Sequence, residues 1–482
     1  MAQRPRPLDP GASASAHFGA LLRRWRLAAG LSQAELGRRV HVSGDLIGKL
    51  EKAARRPASE LVSRLDVVLA ASGTLMAAAQ AAHLAGAEAK PPISPELLGP
   101  EQVVKDFHRS WEKVVANAAE DWRADLRRRD LALTTGTTPS TASVAALQWL
   151  LTEPESVDRS TGSPAVGPDH VMGIRAAAVR FRHLDNAVGG AGARYDVLAF
   201  LVRRVDPLVR RGKYDARIGA ELLSATAELM HLLGWATFDA GQRTAGQRYL
   251  TRALRLAKAA GDDDLGAEIL AALSHQASYL RDGRTAIDLA RAARTVARRS
   301  HVPALMAETY VLEAHGHACL GASAACVQAL SAAEAAFDGA GAVPAPSWIG
   351  YFDEAYLAAK FAHCFLELGE GRKARDFAER SLHMDLDYRR GRMFNVALLA
   401  TAHAQLGEVE AACAVAGEAI PLAAQLGSQR AVGYLRRLRA ELDPYAASVP
   451  VSVLDARLFD AGFAGAAPIG FGDLGEAGDG RE

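Results

Sequence analysis

The chain has 482 residues, of which 49% are hydrophobic and 23% are charged, and its formal net charge is +1. This composition excludes a chain too polar to fold, and four cysteines in so long a chain exclude a disulfide-stapled scaffold. The charge is uneven, because residues 17–75 carry ten Lys/Arg against five Asp/Glu, a net of +5. We therefore expect two to four domains, with a polyanionic partner at the N-terminal one.

The N-terminal segment 1–16 lacks the long apolar run of a signal peptide, and no stretch of 18 apolar residues follows it. These features predict a cytoplasmic protein that makes no membrane contact. Because cytoplasmic thiols stay reduced, we expect small, buried, apolar side chains at Cys319, Cys326, Cys364 and Cys413.

Four short helices are predicted in the N-terminal region. Residues 17–29 place apolar side chains at helical spacing. Ser32 followed by Glu35 is a capping box that opens a second helix, and a third helix starts at Ser43. A fourth helix is expected from about residue 59 to residue 71.

Three stretches carry a resemblance: LSQAELGRRVHVS at residues 31–43, KLEK at 49–52 and RRPASELVSRLDVVLA at 55–70. With them, residues 18–73 resemble the Cro/C1-type helix-turn-helix domain of the XRE family. The turn between the second and third helices needs a residue that tolerates left-handed backbone geometry. This chain has His41 where most relatives have glycine.

The resemblance implies that the third helix enters the major groove, with Ser43 to Lys49 facing base edges and Gln33 on the phosphate backbone. The alternative for the arginines is a solvated helix face, and Asp45 is first a helix-start residue and second a base reader. Gly44 and Gly48 remove side chains from the recognition helix, so useful affinity requires a homodimer on two half-sites. The predicted DNA-binding residues are Arg23, Arg24, Gln33, Ser43, Gly44, Asp45, Lys49, Lys52, Arg55 and Arg56.

Composition divides the rest of the chain. Two stretches rich in Ser, Thr, Gly and Pro, 134–143 and 152–168, are predicted to be mobile loops. Prolines within 87–100 cannot continue a helix and indicate a linker. The predicted order is a disordered tail at 1–16, a helix-turn-helix domain at 17–75, a linker at 76–100, an intermediate helical region at 101–212, a repeat domain at 213–445 and a flexible tail at 446–482.

Small residues recur in the second half of the chain, where helices must pack closely. They lie at positions 246, 286, 325, 374 and 411, at spacings of 40, 39, 49 and 37. Such a ladder predicts successive helix hairpins, each burying its apolar face against the next. The hairpins resemble tetratricopeptide repeats with a longer period. The predicted fold is all-α, a helix-turn-helix domain followed by an α-solenoid of tetratricopeptide-like hairpins.

Residues 170–440 resemble the helical arrays of Ala/Arg-rich regulators typical of actinobacteria, through LLGWATFDAGQR at 232–243 and the stretch after it. In related peptide-sensing regulators, the concave groove of such an array binds a signalling peptide. A groove lined by imidazoles and aromatic rings suits a peptide, a small ligand or a protein partner, although these histidines could instead fill gaps between helices. The predicted groove residues are His231, Trp235, Phe238, His275, Tyr279, Tyr310, His317, Tyr356, His363 and His403.

Patterns typical of an enzyme are missing from the sequence. His315, His317 and Cys319 have no further ligand spaced to close a metal site, and the glycine pair within 180–195 follows no strand. We expect no enzyme, no cofactor and no metal. The sequence predicts a regulator of transcription that binds double-stranded DNA, is nucleoid-associated when bound, and senses an effector through its array. The alternative is a scaffold whose helix-turn-helix domain serves for docking.

Overall fold

A computed structural model gives the fold. It describes residues 14–55, 59–69, 71, 73–76, 78–79, 99–127, 140–300, 302–338 and 345–463. Within these residues the regular secondary structure is helical, apart from two isolated β-bridges, and the predicted all-α class is confirmed. The chain divides into unit 1 (Met1–Ile93, Val409–Gln425 and Leu435–Glu482) and unit 2 (Ser94–Glu408 and Leu426–Tyr434).

Unit 1 begins with the four predicted helices. The Glu35 N–H donates to Ser32 Oγ at 3.1 Å, and the Ser32 N–H donates to Glu35 Oε2 at 2.7 Å, so the capping box is present. His41 has a φ of 58°, the left-handed geometry expected at the turn. The helices are α1 (Ala14–Ala28), α2 (Gln33–Arg39), α3 (Gly44–Glu51) and α4 (Ser59–Val68).

The core of this domain extends past the predicted boundary at residue 75. Ala78 and Ala79 are buried with Leu36, Ile47 and Leu65 in one apolar cluster. These alanines continue the apolar face of the domain, which their small size conceals in the sequence. The predicted linker at 76–100 therefore starts too early. Its residues 77 and 80–98 lie outside the described residues, as do residues 1–13 of the predicted N-terminal tail.

Unit 2 opens with helices that precede the repeats, and a π-helical turn at Leu201–Val205 joins the last two. The predicted mobile loop at 152–168 is ordered instead. The Arg159 N–H donates to the Tyr214 carbonyl oxygen at 2.8 Å, and the Val166 N–H donates to that of Lys213 at 2.9 Å, so backbone pairing holds the segment. Residues 134–139 of the other predicted loop are outside the described residues. The opening helices are α5 (Pro100–His108), α6 (Trp111–Arg127), α7 (Ser140–Leu151), α8 (Pro168–Val188), α9 (Gly190–Phe200) and α10 (Asp206–Arg211).

Helix hairpins follow, as the ladder of small residues predicts. A Cβ on Gly246 would lie 2.9 Å from the Gly234 carbonyl oxygen, so glycine allows the first pair of helices to touch. In the third pair the buried residue is Cys326, one position after the predicted Ala325. The helices are α11 (Ala216–Asp239), α12 (Arg243–Ala260), α13 (Asp263–Tyr279), α14 (Gly283–Ala297), α15 (Pro303–Cys319), α16 (Ser323–Phe337), α17 (Glu354–Glu367), α18 (Gly371–Ser381) and α19 (Arg389–Gln405).

The C-terminal helices contradict the predicted flexible tail at 446–482. Its first part contains a helix in which Val451 and Leu454 are buried and Phe459 packs against the apolar core of the helix-turn-helix domain. The apolar spacing that drives this packing is diluted by the Gly- and Ala-rich composition that follows, and residues 464–482 lie outside the described residues. The helices are α20 (Val409–Ala424), α21 (Gln429–Glu441) and α22 (Val449–Asp460).

Among the described helices, none combines the length and the apolarity that a bilayer span requires.

Candidate functional site

Glu51, the last residue of α3, ties the first three helices together. Its buried carboxylate accepts hydrogen bonds from Arg26 Nε at 2.5 Å, Gln33 Nε2 at 2.7 Å and Arg23 Nε at 3.4 Å. Arg26 is also buried and donates to the Leu31 carbonyl oxygen at 2.7 Å. A buried carboxylate is tolerated only when charge and hydrogen bonds compensate its lost hydration. These hydrogen bonds therefore fix the orientation of α3 relative to α1 and α2.

Glycines allow α2 and α3 to cross closely. A Cβ on Gly44 would lie 2.8 Å from Ala34 Cα, and a Cβ on Gly37 would lie 2.7 Å from the Val42 carbonyl oxygen. A Cβ on Gly48 would instead meet the flexible end of Gln33, at 3.0 Å from Oε1. The two glycines of the recognition helix thus face α2, where they serve packing.

The opposite side of α3 is open to solvent. Asp45 and Lys49 are exposed along it, and Ser43, Lys52 and Arg55 are exposed just beyond its ends. The Leu46 N–H donates to Ser43 Oγ at 3.2 Å, so this serine caps the helix. Asp45 Oδ2 and Lys49 Nζ form an exposed ion pair at 2.7 Å. A helix face with one acceptor and several donors can read base edges and phosphates.

The remaining predicted DNA contacts are engaged within unit 1 or fall outside the description. Arg23 and Gln33 bind Glu51. Arg24 Nη1 forms an ion pair with Asp460 Oδ1 of α22 at 2.7 Å, and both side chains are half exposed. Arg56 lies outside the described residues.

Sequence reasoning missed three residues of this site. Arg38 and Arg39 are exposed in the last turn of α2. Their position beside the buried Leu36 on a short amphipathic helix could have placed them on the solvent side. Glu51 lies four residues after the buried Ile47, and that spacing could have assigned its carboxylate to the interior.

A second candidate site lies inside unit 2, where ionisable side chains of several helices meet. The Glu228 carboxylate of this site forms ion pairs with Arg182 Nη2 at 2.9 Å and with Arg175 Nη1 at 3.4 Å. We call the group the inner polar cluster: Glu228 and His231 of α11, Glu268 and His275 of α13, Glu308 of α15, Tyr351 before α17, and Lys360 of α17.

Two carboxyls of the inner polar cluster share one hydroxyl. Tyr351 Oη lies 2.9 Å from Glu268 Oε1 and 2.7 Å from Glu308 Oε1. A phenol donates one proton, so one carboxyl must supply the proton for the other hydrogen bond. Burial and the neighbouring Glu308 raise the pKa of Glu268 well above its usual value, and burial raises the pKa of Glu308. The pair therefore binds a proton more tightly than a solvent-exposed carboxyl does.

Burial disfavours the charged form of the basic groups beside this pair. Burial lowers the pKa of His231 to about 3, and its Nε2 lies 3.8 Å from Glu268 Oε1. Burial lowers the pKa of Lys360 to about 7, and its Nζ lies 2.7 Å from His275 Nε2. Burial, followed by the charge of Lys360, lowers the pKa of His275 well below its usual value. Burial thus opposes charge on the basic side chains of the inner polar cluster as well as on its two carboxyls.

Several predicted groove residues do meet inside unit 2. The rings of Trp235 and His275 are 5.0 Å apart, those of Phe238 and Tyr279 are 5.7 Å apart, and Tyr356 lies 5.1 Å from Tyr351. His363 Nε2 is 2.8 Å from Tyr434 Oη. These contacts join α11, α13, α17 and the start of α21.

The other predicted groove residues lie elsewhere. The Arg294 guanidinium lies 4.5 Å from the centre of the Tyr310 ring. His317 Nε2 lies 3.6 Å from Glu313 Oε1, and His403 Nδ1 lies 2.5 Å from Glu408 Oε2. In α15 the equivalents of Glu268 and His275 are Glu308 and His315, two residues before the predicted pair. The small-residue ladder does not determine helix rotation closely enough to distinguish these registers.

Two further segments of unit 2 fill the inner side of its hairpins. Ser347 Oγ lies 3.4 Å from Glu228 Oε1, in the same segment as Tyr351. The Arg430 guanidinium lies 5.2 Å from the centre of the Trp235 ring and donates to Asp239 Oδ1 at 2.7 Å. The chain itself therefore occupies much of the surface on which the sequence predicts an open groove.

Comparison with known proteins identifies the N-terminal domain. A family model described as a helix-turn-helix domain matches residues 17–79, which include most of α1, all of α2 to α4 and the buried residues after them. No curated protein and no solved structure matches the chain. Residues 17–79 therefore form a helix-turn-helix domain, a domain type that binds DNA.

Proposed function

We propose that this chain is a sequence-specific DNA-binding regulator of transcription, of the Cro/C1 type in the XRE family, whose unit 2 senses a small ligand. The observation that carries the proposal is the solvent-open face of α3 within a matched helix-turn-helix domain. The protein acts without catalysis, as a non-enzymatic switch. It acts in the cytoplasm, where it binds the DNA of the nucleoid.

On DNA, α3 lies in the major groove. Lys49 donates to guanine O6 or N7, and Asp45 accepts from cytosine N4, which together favour a half-site containing G·C pairs. Arg38, Lys52 and Arg55 bind phosphates and position the helix. The ion pair between Asp45 and Lys49 opens on binding at small cost, because both side chains are exposed.

A single short helix with so few base contacts discriminates only weakly between DNA sequences. Two copies on two half-sites about 34 Å apart add their contacts, so we propose a homodimer. An effector that binds one arrangement of the dimer better than another shifts the population between DNA-binding and non-binding states. Because the chain fills its own groove, the sensing role is proposed for a small ligand instead of a long peptide.

Gel shifts on the protein's upstream region, with a shuffled duplex as competitor, test the DNA-binding role. We expect Lys49→Ala to lower the preference for the specific duplex about tenfold or more. Lys52→Ala weakens both duplexes and reduces the salt slope by about 1.8, because the homodimer loses one phosphate contact in each half-site. Lys373→Ala, an exposed lysine of unit 2, is the matched control and leaves both unchanged. Equal binding of specific and shuffled duplexes at every salt concentration contradicts the proposal.

A further inference from the structure

A short basic segment interrupts the acidic remainder of the chain. After residue 75 the chain carries 44 Lys/Arg against 49 Asp/Glu, a net of −5. Residues 203–213, by contrast, carry five Lys/Arg against one Asp, a net of +4 in eleven residues. Cations at this density repel one another, and such a run is typical of a surface that binds a polyanion.

The segment lies on one continuous helical stretch of unit 2, formed by α9, the π-helical turn Leu201–Val205 and α10. Val205 and Val209 are buried on one side of this stretch, and Arg204 and Arg211 are exposed away from it. Seven residues separate these arginines, so they share a helix face and lie about 10 Å apart along the axis. The π-helical turn is a rare element that is frequent at functional sites.

Backbone pairing fixes the end of the stretch. The Ser163 N–H donates to the Arg211 carbonyl oxygen at 2.8 Å, and the Lys213 N–H donates to the Pro164 carbonyl oxygen at 2.9 Å. The side chains of both basic residues are nevertheless exposed. We call the exposed cations of this stretch the basic patch: Arg203, Arg204, Arg211 and Lys213.

The basic patch has no role inside the chain. Among the described residues, none of its four side chains forms an ion pair, a hydrogen bond or a ring contact. Arg210 of the same run differs, because its Nη2 donates to the buried carboxylate of Asp206 at 3.1 Å. The helix dipole favours a cation at Arg211, in the last turn of α10, but not at Arg203 or Arg204. These charges are therefore available to a partner.

We infer that the basic patch of unit 2 binds the phosphate backbone of duplex DNA. Guanidinium and ammonium groups form charge-assisted hydrogen bonds with phosphate oxygens. No apolar side chain is exposed within residues 200–213, whereas a membrane-binding surface needs an exposed apolar face and a protein interface needs an apolar core. The chain also contains a domain type that binds DNA, so a duplex is the polyanion that it meets.

Acidic side chains limit the basic patch at both ends. Asp196 is exposed two turns before Arg203, and Asp215, two residues after Lys213, caps α11 by accepting the Ile218 N–H at 2.8 Å. Phosphate contacts carry no sequence information, so the basic patch adds affinity for any duplex, and salt weakens that contribution steeply. The inference rests on DNA binding by the helix-turn-helix domain and not on sequence reading by α3.

Acetylation of lysines in the full chain tests the inference locally, with a shuffled duplex at low salt as the probe. We expect the duplex to slow acetylation of Lys213 at least about fivefold, because an ammonium group held by a phosphate is shielded from the reagent. Lys373, exposed on α18, is the control and should react at an unchanged rate. Poly-glutamate and phosphatidylglycerol vesicles are the competing polyanions. Protection of Lys213 by either of them, but not by the duplex, overturns the inference.

Charge-matched variants measure the contribution to binding. The first variant combines Arg203→Gln, Arg204→Gln, Arg211→Gln and Lys213→Gln, all at exposed positions where glutamine is a good helix former or lies outside the helix. We expect its salt slope to fall by about 3.6 for each bound chain, and so by about 7 for the proposed homodimer, with the ratio of specific to shuffled binding unchanged. The control variant removes the same charge at other exposed positions of unit 2, by glutamine at Arg284, Arg298, Arg299 and Arg372, and should keep the wild-type slope.

Two results overturn the inference: the duplex leaves the acetylation rate of Lys213 unchanged, or the two quadruple variants have the same salt slope. In the second case only the net charge of the chain matters. Neither result affects the preference of α3 for a specific duplex, which Lys49→Ala tests separately.

Discussion

Replacing Glu51 by methionine tests the ionic cluster that positions the recognition helix. The substitution leaves the guanidinium of Arg26, whose side chain is 9% exposed, without its carboxylate. Breaking a buried pair by removing one partner costs about 3–5 kcal/mol, and the Leu31 carbonyl retained by Arg26 favours the lower end. We expect a loss of about 3 kcal/mol, which corresponds to about 150-fold faster amide exchange.

Hydrogen exchange of peptides covering α2 and α3 in the full chain measures this loss locally, which matters because a chain of two units has no single unfolding free energy. The double variant Arg26→Met, Glu51→Met removes both charges, and we expect it to lie within about 1 kcal/mol of wild type. Asp45→Asn, at the exposed ion pair, is the control for stability, and we expect it to change the free energy of local opening, as measured by exchange, by less than about 1 kcal/mol. The reasoning is wrong if Glu51→Met exchanges at the wild-type rate, or if the double variant is worse than either single one.

Further expected outcomes concern packing and pH. Gly44→Ala places a methyl group against the backbone of α2, so we expect it to cost about 1–3 kcal/mol and to lower the melting temperature of unit 1. In Gly48→Ala the methyl group meets only the flexible end of Gln33, so we expect this variant to be neutral or slightly stabilising. Phe459→Ala removes a half-buried ring that packs against the helix-turn-helix core, so we expect amide exchange in α1 to accelerate by the equivalent of about 2 kcal/mol. If α1 of this variant exchanges at the wild-type rate, α22 does not stabilise the domain. Lys360 has a folded pKa of about 7, below its unfolded value, so the unfolded state binds more protons between pH 7 and about 10 and this group makes stability rise with pH. Thermal melts of Lys360→Met against wild type should show that rise reduced by up to about 1.4 kcal/mol per pH unit, and identical pH profiles would contradict the neutral buried amine.

Local signals in the sequence predict the helix-turn-helix domain well. The capping box at Ser32 and the left-handed turn at His41 depend on residues within one turn of each other, so sequence spacing determines them. The role of Glu51 depends on Arg23 and Arg26, which are distant along the chain, and one sequence does not reveal such a partnership.

The inner polar cluster shows the same limit in unit 2. A period near 40 residues predicts the hairpins, but a shift of one or two residues rotates a helix enough to exchange Tyr310 for Glu308 on the inner side. The segments carrying Tyr351 and Arg430 carry no repeat signal that would place them inside the hairpins. The carboxyl pair could therefore be recognised only from the fold.

Selection of bound duplexes from a random-sequence pool by the full chain tests most directly whether the face of α3 reads DNA. Wild-type protein and Lys373→Ala should enrich one recurrent motif with two G·C-containing half-sites, and Lys49→Ala should lose that enrichment while still retaining DNA at low salt. If wild-type protein enriches no motif at low ionic strength, the chain does not read sequence through α3.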